Sequence, residues 1–252
     1  MIAAGPACAH DTWFQPLAAQ GTLALGTGTQ FPRQEVPVGA DSLVRSGCRA
    51  GEGGAVPLRV LRQAPAALIV RPTAGQATTV CWAQQTRFDV TLPPDKVALY
   101  LREINPPAWV QGEWSRLQAA GLPWKEHYAK HARIELGGAA GPAQPVDLAM
   151  DVLLDERAPR VGQPLGFQVL RDGRPLPDQA VELRGEMSPL GIWRRTDAEG
   201  RASISVPLPG RWVLRGTDLR RSESEPDQFE SRFFNLAFEV LPRDPAVRTA
   251  AP

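Results

Sequence analysis

Short apolar runs recur along residues 21–92, each closed by glycine, proline or alanine: Leu23–Gly26, Val56–Leu61, Ala67–Val70, Thr78–Ala83 and Arg87–Leu92. Runs of this length between turn residues predict strands. In the last of them Phe88, Val90 and Leu92 alternate with Arg87, Asp89 and Thr91, the period of a half-buried strand. The pattern changes at Pro94. From there Val97, Leu101 and Ile104 fall on one helical face until Pro106-Pro107 stops the helix. A second helix is expected at about Glu113–Ala120, ending at Gly121 as its C′ residue, and a short third turn after Pro123.

Gly137-Gly138-Ala139-Ala140-Gly141-Pro142-Ala143-Gln144-Pro145 reads as a linker at a domain boundary. Strands are expected to resume at Leu148–Leu154, Leu165–Arg171, Ala180–Arg184, Ile192–Thr196, Ala202–Val206, Trp212–Gly216 and Phe233–Leu241. Seven strands about ten residues apart are the mark of an immunoglobulin-like or transthyretin-like sandwich. Arg171-Asp172-Gly173-Arg174 is a hairpin signal, and Gly200 closes a turn at Asp197-Ala198-Glu199-Gly200. The expected fold is mainly β: a sandwich domain over residues 10–136 with helices near 94–130, the linker, a second sandwich over 146–242, and a disordered tail from 243 to 252.

Composition agrees with a turn-rich β protein: 25 prolines and 23 glycines punctuate the 252 residues. Charge is nearly balanced, 28 Lys+Arg against 27 Asp+Glu. That balance argues against a nucleic-acid partner, which would call for a basic excess. Thr12 to Pro32 carries no charge, but its glutamines, threonines and glycines make it too polar for a transmembrane segment. Residues 1–9 are small and uncharged and end in Ala7-Cys8-Ala9, a triplet of the kind signal peptidase accepts. They read as the remnant of a secretory signal, so that the working chain is exported to the periplasm and begins at His10. Cys48 and Cys81 then remain as an even pair. They either close a disulfide loop, worth about 3–4 kcal/mol in the chain-entropy model, or are buried free thiols.

Three segments taken in order carry a resemblance. Ala9-His10-Asp11-Thr12-Trp13 opens the chain after the triplet, and Lys125-Glu126-His127-Tyr128-Ala129-Lys130-His131-Ala132-Arg133 follows the helices. The third is the run of Gly173-Arg174-Pro175-Leu176, Thr196-Asp197-Ala198-Glu199-Gly200-Arg201 and Pro209-Gly210-Arg211-Trp212-Val213-Leu214-Arg215. Together they resemble a family of secreted bacterial proteins known as a domain of unknown function and similar to accessory components of cobalt/nickel uptake systems. The resemblance spans residue 9 to about 241. It implies a mature N-terminal His10 and a role beside an inner-membrane transporter.

The chain has three histidines: His10, His127 and His131. An N-terminal histidine offers its α-amine and its imidazole to one metal ion. His127 and His131 stand four apart, one above the other if the segment is helical, a spacing that suits nickel, cobalt, copper or zinc. Asp11 and Glu126 add oxygen donors or orient the rings. If the segment is instead a strand, Ala132, Ile134 and Leu136 alternate with His131, Arg133 and Glu135, and His131 points to solvent. Of these residues the resemblance carries over only His10.

Catalytic constellations are poorly represented. No Gly-x-Ser-x-Gly elbow occurs, Cys48 lacks a flanking histidine, and Gly26-Thr27-Gly28 leads into no helix. The expected function is therefore a non-enzymatic, divalent-metal-binding accessory protein. An alternative is an adhesion or carbohydrate-binding module that presents tryptophans. Of the seven, Trp13, Trp82, Trp114, Trp193 and Trp212 fall on apolar positions of expected elements, and Trp109 and Trp124 are the expected exposed pair.

Overall fold

The computed structural model describes residues 11–19, 21–51, 53–73, 78–137 and 141–243. The expected signal remnant 1–9, His10, part of the linker and all but the first residue of the tail lie outside the described residues.

The N-terminal half contains β1 (Asp11–Pro16), β2 (Leu23–Gly28), β3 (Val36–Pro37), β4 (Leu43–Arg49), β5 (Ala55–Val56), β6 (Leu58–Gln63), β7 (Leu68–Pro72), β8 (Val80–Gln85) and β9 (Phe88–Leu92). Helices α1 (Pro94–Ile104) and α2 (Trp109–Ala119) follow, then the long β10 (Trp124–Glu135). The C-terminal half holds β11 (Met150–Leu154), β12 (Pro164–Arg171), β13 (Arg174–Pro175), β14 (Ala180–Gly185), β15 (Ser188–Arg195), β16 (Arg201–Ser205), β17 (Gly210–Arg221) and β18 (Phe229–Val240).

The fold is mainly β with a two-helix insertion, and the two halves share their central layer. One sheet of nine strands runs β15-β14-β17-β18-β10-β8-β4-β5, with β9 on the first part of β10. Its seam is the parallel pairing of β10 with β18, from Glu126↔Phe229 to Ile134↔Ala237. Parallel neighbours need a long crossover, and here that crossover is the entire C-terminal half. The expected boundary at 137–145 is the passage from β10 to β11, but hydrogen bonding crosses between the halves.

On one face of the central sheet lies the sheet β1-β2-β7-β6 with β3. Phe14, Leu25 and Leu68 meet Cys81, Ala83, Ala132 and Ile134 there. The helices cover the rest of that face, with Val97, Tyr100, Trp114 and Leu117 packed on Trp124, Leu219, Phe229 and Phe233. The opposite face carries β11, β12, β13 and β16, whose Val152, Phe167 and Ile204 pack on Val181, Leu214, Phe234 and Leu236. Each of the seven strands expected beyond the linker is present. Cys48 and Cys81 are paired across β4 and β8 and form a disulfide.

Local chemistry explains several ends. Asp172 and Gly173 both have positive φ, 49° and 74°, the requirement of the tight turn joining β12 to β13. Gly121, at φ 69°, ends α2: Leu122 N–H returns to the Leu117 carbonyl at 2.9 Å and Gly121 N–H to Gln118 at 3.0 Å. These are the two bonds of a Schellman close.

Three expectations are corrected. Residues 124–135 form one strand rather than a helical turn after Pro123, so the i, i+4 helical stacking of His127 and His131 does not exist. Lys, Glu and Ala favour a helix locally, but pairing with β8, β9 and β18 overrides that preference. Nor does the strand turn a face to solvent: His131, Arg133 and Glu135 are buried. Asp151 binds Arg133 on that side, while Val146 and Leu148 from the connecting segment cover Val80 and Trp82. Trp124 is fully buried, contrary to the expectation of an exposed pair; Trp109 is 38% exposed.

Candidate ligand site at the start of the first strand

β1 lies across β10 and β18. Its first residue, Asp11, is buried, and Asp11 Oδ2 forms an ion pair with Arg215 Nε on β17. Arg215 is itself 3% exposed. Its Nη1 donates to Glu182 Oε2 at 2.6 Å and to the Glu103 carbonyl at the end of α1 at 3.2 Å. Burial opposes the Arg215 charge, and Asp11 and Glu182 outweigh it, so its pKa is raised.

Strand register sets the surroundings. Glu182, Arg215, Asn235 and Ala132 are successive cross-strand neighbours on β14, β17, β18 and β10, so their side chains share one face. Lys130, two residues before Ala132, points the same way. Burial pulls its ammonium down to about 8, against the attraction of Asp11.

This row is polar yet incompletely satisfied. Asn235 is 2% exposed, and among the described residues neither its Oδ1 nor its Nδ2 has a hydrogen-bond partner. Asp11 Oδ1 and Trp13 Nε1 are also buried without one. A buried polar atom left unpaired costs about 1–3 kcal/mol, so each of these four calls for an explanation. Asp11 and Glu182 balance Arg215 and Lys130 in charge.

The other expected site residues are dispersed. His127 and His131 point to the opposite face of β10 from Lys130 and Ala132, and four strand residues separate them by about 13 Å, too far to share one ion. His127 lies between two carboxylates, Nδ1 at 2.5 Å from Asp89 and Nε2 at 2.9 Å from Glu225. His131 Nδ1 sits 3.0 Å from the Phe233 carbonyl, and among the described residues its Nε2 has no partner. Glu126 faces the helices, where it accepts from Tyr100 and Trp124 at 2.8 Å each and from Ser231. Burial raises its carboxyl above the ordinary range, against those three donors. His10 lies outside the described residues. Among the described residues no group of three or more His, Cys, Asp or Glu side chains is placed to hold a metal ion.

The two histidines titrate in opposite directions. Burial disfavours charge on His127, but Asp89 and Glu225 outweigh it and raise its pKa above 6.5. Its stabilising effect is therefore full below that value and is lost as pH rises through the folded pKa. Burial takes His131 down to about 4, against the pull of the Phe233 carbonyl, so its contribution is lost as pH falls from 6.5 toward 4. Imidazole proton shifts followed by NMR, with His127→Gln for assignment, are expected to give one curve on each side of 6.5. Coincident curves near 6.5 would contradict these environments.

Arg215, Glu182, Asn235 and Lys130 escaped the sequence reasoning. The usable signal was polarity inside apolar runs: Arg215 follows Trp212-Val213-Leu214, and Asn235 sits within Phe233-Phe234-Asn235-Leu236. A charged or amide side chain amid strand residues buried on both faces has to find a partner inside. Among the described residues no helix is long and apolar enough to cross a membrane. Comparison with curated proteins and with solved structures finds no match. A family model does match, over residues 7–217, and the chain belongs to that family, described as a domain of unknown function (DUF4198).

Proposed function

We propose that this protein is an exported, non-enzymatic accessory protein that binds a divalent transition metal of the nickel or cobalt type at the start of β1, in support of a membrane uptake system. The observation that carries the reading is Asp11 Oδ1, buried and, among the described residues, without a partner, one residue after His10. The His10 imidazole and the α-amine of a chain beginning there would supply two nitrogen donors, and Asp11 Oδ1 a charged oxygen. Asn235 Oδ1 offers a neutral oxygen from the same polar row. Arg215, by holding Asp11 Oδ2, orients the carboxylate as partners of metal ligands commonly do. The ion would supply charge to an otherwise neutral cluster.

The test is calorimetric titration of nickel or cobalt into a chain that begins at His10. Binding is expected to be lost in His10→Ala, weakened in Asp11→Asn, and lost when two residues are added ahead of His10 to displace the amine. Equal affinity in all four chains, or no heat in any, ends the proposal.

A further inference from the structure

A cavity of about 320 Å³ lies at the end of β1 away from Asp11, lined by Phe14, Phe31, Ile134, Ala237, Arg211 and Glu239 among others. That volume is at the small end of ligand sites. Strand register shows how it is built. On the face of the central sheet that carries Arg215 and Asn235, the next cross-strand row is Val213, Ala237 and Ile134, and the row after it holds Arg211 and Glu239. Phe31 packs on Val213 and meets Trp13 edge-on with ring centroids 5.6 Å apart, which fixes it as a wall on the β1 side.

The base is apolar and the rim is charged. Phe14, Ile134 and Ala237 are buried members of the core between the two sheets. At the rim the Arg211 guanidinium is answered: Nε lies 2.9 Å and Nη2 2.7 Å from Glu186 Oε2, and the Arg211 N–H donates to Glu186 Oε1 at 2.9 Å. These contacts hold the Glu186 carboxyl below its ordinary range. Glu239 is different. It is exposed, stands cross-strand from Arg211, and among the described residues has no hydrogen bond or ion pair. Apolar side chains continue past the rim. Leu17 follows Pro16, Met187 follows Glu186 and Leu208 stands two before Gly210, and these three are 39%, 73% and 41% exposed.

We propose that this cavity binds an aliphatic amine, its hydrocarbon chain on Phe14, Phe31, Ile134 and Ala237 and its ammonium on Glu239. Taking a hydrocarbon chain out of water is favourable in proportion to its area, and the exposed side chains past the rim extend the apolar surface for a longer chain. The charge of the guest follows from the rim. With Arg211 neutralised by Glu186, the charge left over is the Glu239 carboxylate, which an ammonium answers with a charge-assisted hydrogen bond. An aliphatic carboxylate would bring a second anion beside Glu239, and a neutral alcohol would forgo the ion pair.

The test uses the full chain treated with chelator, so that metal bound beside Asp11 plays no part. Calorimetry is run at neutral pH with hexylamine, propylamine, hexanoate and hexanol. Hexylamine is expected to bind most tightly, ahead of propylamine by about fourfold for each further methylene buried. Glu239→Gln, at an exposed position, is expected to weaken hexylamine by about threefold with an unchanged circular dichroism spectrum, and to leave hexanol as it was. Glu239→Lys, which reverses the charge, is expected to favour hexanoate over hexylamine. The proposal is overturned if hexylamine does not bind, or if hexanoate or hexanol matches it in the parent chain. It is equally overturned if Glu239→Gln binds hexylamine as tightly as the parent, or if Glu239→Lys still prefers hexylamine.

Discussion

Arg215→Ala is expected to lower the unfolding free energy by about 3–5 kcal/mol, the usual cost of removing one partner from a buried ion pair. In a chain of this size that is a fall of roughly 6–20 °C in Tm. Two carboxylates, Asp11 and Glu182, would be left in a site where Arg215 is only 3% exposed. Arg184 also contacts Glu182, at 2.9 Å, but among the described residues Asp11 has no second cation in contact. The decisive comparison is with a triple variant, Arg215→Met with Asp11→Asn and Glu182→Gln, which removes the charges together. Urea denaturation at constant m should place the triple variant well above Arg215→Ala, because replacing a whole buried charge set is far cheaper than breaking it. Equal midpoints would mean that the arginine acts through its bulk alone.

Trp124→Ala is the second large effect, with an expected loss of about 3–5 kcal/mol. Trp124 is fully buried, stacked on Phe229 with centroids 3.9 Å apart, and meets Tyr100 and Trp114 edge-on. Its indole N–H also supplies one of the three donors to buried Glu126. The variant therefore opens a hole in the helical compartment and removes a hydrogen bond from a buried carboxyl. Hydrogen exchange should show α1 and α2 losing protection before β11 and β12, whose core shares no residue with that of the helices. Uniform loss across both compartments would refute this local reading. Trp124→Phe, which keeps most of the stacking, should recover most of the stability.

Much of the fold was legible because its strands obey local rules. Apolar runs closed by turn residues located most of them, and Asp172-Gly173 announced its turn by the only chemistry that suits two positive φ values. The first helix was marked at both ends by proline. What escaped notice depends on distant partners. β10 carries Lys, Glu, His and Ala at positions that become interior only once β18, β8 and β9 lie alongside, and no local pattern reports that. The same blindness hid the candidate site. Asp11 was singled out for its place beside His10, but its partner Arg215 lies more than two hundred residues away, and Asn235 joins them only through the register of three strands. The two histidines of β10 were grouped by a helical spacing that the strand does not keep.

The parallel seam between β10 and β18 has a consequence for how the molecule comes into being. A ribosome delivers β10 long before β18, the last strand among the described residues, exists. Until then the first half has an open hydrogen-bonding edge flanked by apolar residues, the kind of margin that invites pairing with a stranger. Closure must await the final segment and brings together residues about a hundred positions apart, a slow event by the logic of loop entropy. A shortened product ending before residue 229 would retain the N-terminal sandwich but lack its neighbour, and its fate should be aggregation rather than independent folding.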